Sequence, residues 1–295
     1  MRRSQLKQEH AKVAQTGPSC AVSRWGVRGH CATTRVSPGA TLTVRSSSHV
    51  VLMSSVASAS APSVRPVALV IGGGIAGCTA ALFLRRAGVE ARVFEAYPHV
   101  ADNVVGGLGL ASNGMNVLRS LGLAEKLAAR SAPSTAFQFA NDSGKILGTA
   151  PLNGKEKYGV DGVACTRLAL HQVLHAECEA QSIVIQYSKR LTEFDEDDQG
   201  ITARFEDGTS EQGAFLVAAD GLHSRVRNIL FPSVKPEYVG LVGYGGGVPL
   251  EDLTEAQRAA CPPRGTMRFI FGPLGFFGMS DFGRDEKTGK VRPKR

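Results

Sequence analysis

The chain has 295 residues, 43% of them hydrophobic, and a formal net charge of +8, enough apolar material for one large domain or two ordinary ones. No apolar run reaches the roughly 18–20 residues that a membrane span requires. The excess charge sits outside the body: residues 1–65 carry nine Lys and Arg against Glu9 alone, so residues 66–295 are neutral, which argues against nucleic acid as a partner. The six cysteines, Cys20, Cys31, Cys78, Cys165, Cys178 and Cys261, include no C-x-x-C pair. Neither a disulfide framework nor a zinc site is therefore expected, and reduced thiols point to an intracellular compartment.

Residues 1–63 are rich in Ser and Arg, nearly free of acid and without periodic hydrophobicity. Two readings fit them: an organelle transit peptide, or a disordered extension upstream of a start at Met53. The expected location is accordingly cytoplasmic or organellar. Order is expected from residue 64. A short β-rich run, VALVI, meets three glycines, a helix-like stretch continues to about Ala87 with Gly88 as its stop, and ARVFEA follows as a second strand. That is one parallel βαβ unit.

The glycine-rich GGLGLASNG then precedes a helix expected over residues 113–127. Residues 136–150 read as an antiparallel excursion turning at Asn141-Asp142-Ser143-Gly144, and Thr166 caps a helix running to about Ala180. IVIQY, KRLTEFDED, ITARFED and AFLVAAD form a β meander that feeds a final buried strand, with the acidic EFDEDDQG as a hairpin tip. From Tyr238 onward, glycine-rich loops alternate with β-like segments such as TMRFIF.

Gly72-x-Gly74-x-x-Gly77 stands where a dinucleotide fingerprint must, after a strand and opening a helix. Gly72 permits the sharp turn, Gly74 lets backbone approach a pyrophosphate, and Gly77 lets helix and sheet close up. Glu95, at the end of the second strand, can accept from both ribose hydroxyls of an adenosine and would repel a 2′-phosphate. FAD and NAD both carry such a ribose, so this unit alone does not choose between them. Farther on, Asp220 ends a parallel-type strand, where α/β sheets bind ligands. Gly221 allows a positive φ beside a ligand, and Ser224 and Arg227 on the next turn can hold polar or phosphate groups.

Four segments together resemble the group A FAD-dependent monooxygenases, the para-hydroxybenzoate-hydroxylase-like and salicylate-hydroxylase-like enzymes. IGGGIAG with Glu95 is similar to that family's first FAD motif, and GLGLASNG to its second glycine segment, which implies Gly107 and Gly109 near the flavin. CTRLALHQVL resembles its R-x-x-L helix start, with Arg167 facing the cofactor. VAADGLHSRVR resembles its Asp-Gly motif, carried by Asp220, Gly221, Ser224 and Arg227. The resemblance covers about residues 66–285. It implies an α/β fold: a Rossmann-like FAD-binding parallel sheet with an inserted β meander and a partial antiparallel substrate-domain sheet. Residues 66–130 and 160–232 would bind FAD, and residues 131–159 and 233–295 would form a partial substrate-binding part.

The implied activity is oxidation by FAD, with NADH or NADPH as reductant and molecular oxygen as co-substrate. One oxygen atom enters a small, aromatic or unsaturated organic molecule. The cofactor carries that chemistry, so no catalytic residue is named. His171 and His175, one helical turn apart, lack the Glu of H-E-x-x-H and are expected on a solvated helix face, with no metal. Cys78 is expected to pack rather than to bind flavin covalently. The family's third motif, a Gly-Asp pair opening a helix, has no counterpart: in GMSDFGRD neither Asp281 nor Asp285 follows Gly ahead of an apolar run. Relative to the family the chain is expected to be truncated at its C-terminus. Two alternatives follow, an inert fragment that binds FAD weakly and, further off, an NAD-dependent reductase on a simple Rossmann fold.

Overall fold

The structure, a computed structural model, describes residues 22–25, 31–34, 65–98 and 106–283. The chain divides into two compact units, residues 1–62 and 63–295. In the first, β1 (Val22–Trp25) pairs antiparallel with β2 (Cys31–Thr34). The targeting or disordered reading of residues 1–63, and the start at Met53, lie otherwise outside the described residues.

The second unit opens with β3 (Val67–Ile71), α1 (Ile75–Arg86) and β4 (Glu90–Phe94). The helix stops at Gly88, whose φ of +82° lets its N–H reach Arg85 O (3.1 Å) while Val89 N–H returns to Leu84 O (2.9 Å), a C-terminal closure that favours glycine. Next come β5 (Gly107–Leu110), α2 (Ser112–Ser120) and α3 (Ala124–Ala128). One helix was expected over 113–127; it breaks at Gly122, which adopts φ +77°. Then follow β6 (Ala132–Ser134), β7 (Ala136–Asn141), β8 (Ile146–Pro151), α4 (Gly154–Tyr158) and β9 (Gly162–Thr166).

α5 (Arg167–Ala180) begins at the Thr166 cap, whose hydroxyl accepts from Ala169 N–H. After β10 (Ile185–Gln186), a meander of β11 (Leu191–Asp197), β12 (Gly200–Phe205) and β13 (Ser210–Gly213) leads to β14 (Phe215–Ala218) and α6 (Arg225–Leu230). The acidic tip is a tight hairpin, Asp197 opposite Gly200. The last elements are α7 (Glu255–Ala260), β15 (Thr266–Gly272) and β16 (Gly275–Met279).

Four parallel strands in the order β10-β4-β3-β14 make the central sheet. Side chains alternate across β3, so its two faces feed two cores. Val70 joins Cys78, Leu82, Val93, Leu170 and Leu174 under α1 and α5. Leu69, Ile71 and Phe94 join Leu191, Ile201 and Phe205 of the meander and Val226 of α6. Burial on both faces explains the uninterrupted apolar run VALVI. β14 is half-buried rather than buried, because it lies at the edge of the described sheet with a neighbour on one side. A smaller sheet, β5-β9-β6, is antiparallel. A fourth, β16-β15-β7-β8, is antiparallel except for its central β7–β15 pair.

Candidate functional site

Parallel register brings the C-terminal ends of three neighbouring strands level: Phe94 stands opposite Ile71, and Ile71 opposite Ala218. The residues that follow these positions, Glu95, Gly72 and Ala219-Asp220, therefore share one sheet edge. Backbone bonds hold them there, Gly72 N–H to Phe94 O and Ala219 N–H to Ile71 O, both 2.8 Å. Three sequence-predicted segments of the site thus meet at the crevice where open α/β sheets bind ligands.

The fingerprint glycines fall into two kinds, two that the packing requires and one that it does not. Gly72 has φ +106°, and a Cβ there would lie 2.4 Å from Ala219 O; at Gly77 a Cβ would lie 1.8 Å from Gly72 O. Strand β14 and helix α1 can close on the loop only because both side chains are missing. Around Gly74, by contrast, a Cβ would meet nothing within 4 Å, so this glycine is not required by the protein's own packing. It leaves an open cradle at the head of α1. That helix has no side-chain cap and no acidic residue in its first turn, unlike α5 and α6, which Thr166 and Ser224 cap. Its first N–H groups and dipole are left for an anion.

Glu95 bridges the loop and its own strand: Oε2 accepts from Gly73 N–H (2.8 Å) and Oε1 from Tyr97 N–H (3.0 Å). Both bonds fix the carboxylate beside the loop, and each oxygen keeps a lone pair for a ribose hydroxyl. On the other flank, Asp220 Oδ2 accepts from Arg225 N–H (2.7 Å) and Val226 N–H (3.2 Å). Ser224 Oγ accepts from Arg227 N–H (2.9 Å). The structure thus spends one oxygen of Asp220 and the Ser224 hydroxyl on capping α6. Arg227 donates through Nη2 to Leu222 O (2.8 Å), and Gly221 takes φ +75°.

Arg167 opens α5 with its side chain exposed, while its N–H donates to Gly106 O (2.9 Å). That bond ties the start of α5 to the start of β5, which carries Gly107 and Gly109. Against these two glycines rest protein side chains, the Phe282 ring at 2.2 Å from a Cβ built on Gly107 and Met267 Cε at 3.3 Å from one on Gly109.

The histidines overturn one expectation. His171 and His175 are half-buried and stacked, ring centroids 4.6 Å apart, not on a solvated face, because α5 packs against the glycine loop. His175 Nε2 lies 2.8 Å from Gly73 O, and Tyr187 Oη lies 3.2 Å from His175 Nδ1. Burial pulls the His171 imidazole below its usual range, His175 adding to the effect and Glu95 opposing it. Cys78 is fully buried and donates Sγ–H to Gly73 O at 3.2 Å. Its hydrogen bond with the free thiol of Cys178, together with burial, pushes its pKa far up, so it is an inert packing thiol. The Gly73–His175–Tyr187 contacts carried no signal in the sequence, since 102 residues separate Gly73 from His175. Among the described residues no group of three metal-ligating side chains gathers, and no helix is long and apolar enough to cross a membrane.

A family described as an FAD binding domain matches residues 65–237, and the chain belongs to it. The crevice fits that cofactor: an uncapped helix start, an open Gly74 and a carboxylate beside the loop are what an adenosine diphosphate moiety requires. The chain is 36% identical over 192 residues to the 3-amino-4-hydroxybenzoate 2-monooxygenase PtnB3 of Streptomyces platensis, covering 64% of this chain and 48% of the relative. It is 32% identical over 185 residues to a 6-hydroxynicotinate 3-monooxygenase of Bordetella bronchiseptica, covering 61% and 47%. The chain spans about half the length of the curated relatives it matches. In fold it is similar to Klebsiella pneumoniae HpxO solved with FAD and uric acid, with a TM-score of 0.58 and 23% identity over 74% of this chain and 53% of that one. The 2,6-dihydroxypyridine-3-hydroxylase of Arthrobacter nicotinovorans gives 0.57 and 21% over 76% and 57%.

Proposed function

We propose that this chain is an FAD-binding, NAD(P)H-dependent monooxygenase that hydroxylates a small aromatic molecule. The observation that carries the reading is the shared strand edge, where Glu95, the Gly72–Gly77 loop and Asp220 stand side by side. Relatives named as monooxygenases of 3-amino-4-hydroxybenzoate and of 6-hydroxynicotinate, and as an FAD-dependent urate hydroxylase, support it. FAD, held by these strand-edge residues, would supply the electron transfer from a nicotinamide and the activation of oxygen, while the protein binds, orients and excludes water.

In this reading Gly72, Gly74 and Gly77 with the head of α1 hold the diphosphate, and Glu95 accepts from the adenosine ribose. Asp220 keeps Oδ1 for the ribityl side while Oδ2 holds α6, and Gly221 lets the backbone turn past the cofactor. The exposed Arg167, at the start of α5 and tied by its N–H to Gly106 ahead of Gly107 and Gly109, would contribute its guanidinium to the cofactor. Ser224 and Arg227 act at one remove, by fixing the turn that presents Asp220. The β16-β15-β7-β8 sheet contributes to the substrate side.

Purified protein should bind FAD stoichiometrically, and NADH or NADPH oxidation should rise when a hydroxybenzoate or hydroxypyridine is added. Binding of NADH with no binding of FAD would instead make it a reductase. FAD binding with no substrate-stimulated oxidation by any member of such a panel would contradict the monooxygenase assignment for this chain.

A further inference from the structure

We propose that His175, braced by Tyr187, is a positioning residue that sets the orientation of the Gly73–Gly74 peptide and so aims the Gly74 N–H into the diphosphate cradle. The inference rests on the FAD reading above and assigns a new residue to that site.

Three successive glycines, 72–74, have no Cβ to restrict them, so nothing intrinsic to the loop fixes how its peptide planes are turned. The structure supplies the restraint from outside. Gly73 N–H is held by Glu95 Oε2 (2.8 Å), and Gly73 O is held by His175 Nε2 (2.8 Å) and Cys78 Sγ (3.2 Å). A carbonyl oxygen only accepts, so His175 must carry its proton on Nε2. Neutral Nδ1 is then an acceptor, and the Tyr187 hydroxyl at 3.2 Å is the group that donates to it. Stacking on His171 steadies the ring.

The consequence follows from peptide geometry. Gly73 C=O and Gly74 N–H belong to one rigid trans plane and point in opposite directions. Pinning the carbonyl to His175 therefore turns the Gly74 N–H away from α5, on the residue whose Cβ position is open space. Without His175 the carbonyl keeps only the weaker Cys78 Sγ–H donor (3.2 Å), and the plane can rotate to present a carbonyl where an anion needs a donor. The two anchors divide the work: Glu95 sets the Gly72–Gly73 plane, and His175 sets the next one.

The test uses FAD and ADP titrations, the second because ADP carries ribose and diphosphate without flavin, together with the melting temperature of the ligand-free protein. His175→Leu should weaken FAD and ADP by the same factor, about fivefold to tenfold for one lost positioning bond. His175→Gln, which keeps an amide donor, should recover most of the affinity at a melting temperature no higher than that of His175→Leu. Tyr187→Phe should weaken both ligands by a smaller factor. Parental affinity in His175→Leu would overturn the inference, as would a loss that Gln does not rescue. Should His175→Leu fail to fold, His175→Gln against Tyr187→Phe decides: near-parental binding in the first and weaker binding in the second is expected, and equal binding or the reverse order overturns it. A parent protein that binds no FAD would instead defeat the FAD reading itself.

Discussion

A methyl group added at Gly77 would sit 1.8 Å from Gly72 O, and one at Gly72 would sit 2.4 Å from Ala219 O on a backbone at φ +106°. Both atoms are backbone and cannot step aside, so Gly77→Ala should destabilise the fold by about 1–3 kcal/mol, read from urea unfolding; an unchanged midpoint would contradict the packing described. His171 makes a pH prediction. Burial lowers its folded pKa, so as pH falls through about 6.5 the unfolded chain takes up the proton first. The stabilising contribution is thus complete above that value and is lost as pH falls through the folded one. Replacing His171 with Phe should flatten the dependence of melting temperature on pH below about 6.5, and an unaltered slope would refute the assignment. At this scale the three fingerprint glycines and Glu95 were legible, because their spacing is local. The Gly73–His175–Tyr187 chain was not, because a half-buried histidine on a helix has the same sequence signature as a solvated one.

Elements were legible where a local stop or cap specifies them. Gly88 ends α1, Thr166 starts α5, and the Asn141–Gly144 turn joins β7 to β8. β13 escaped notice because Ser-Glu-Gln-Gly has no strand-like pattern and is held by pairing with β12 alone. α7 escaped because everything from Tyr238 onward reads as glycine-rich loops alternating with β-like segments, although Thr254 and Gln257 form a capping box that signals a helix start. The Asp-Gly segment gained a structural role in the same way: Asp220, at the strand edge, caps α6 through Oδ2. Asp220→Ala should therefore cost about 1 kcal/mol of stability, while Asp220→Asn, which keeps an acceptor, should retain most of the stability and still lose FAD affinity. Equal stability losses in both variants would rule out a separable cofactor role.

For the whole molecule, the parallel sheet joins the two cores, and Phe94 is its tie to the second. Its ring stacks on Phe205 of the meander, centroids 4.8 Å apart, and is fully buried. Phe94→Ala should destabilise the protein by about 3–5 kcal/mol, measured by urea unfolding, and a loss under about 1 kcal/mol would mean that the meander is not integral to the sheet. The continuous apolar run VALVI, ended by glycines, made this sheet readable, whereas the parallel β7–β15 pairing joins segments some 130 residues apart that no local pattern links. In the proposed function the strand-edge crevice binds FAD over the open Gly74. The direct measurement is an FAD titration of Gly74→Ala beside the parent, with melting temperatures of both ligand-free proteins. A Cβ at Gly74 meets no protein atom within 4 Å, so the fold should be unchanged while FAD binding falls at least about tenfold, the methyl occupying space the diphosphate needs. Parental FAD affinity in Gly74→Ala, or no FAD binding by the parent, would contradict the account.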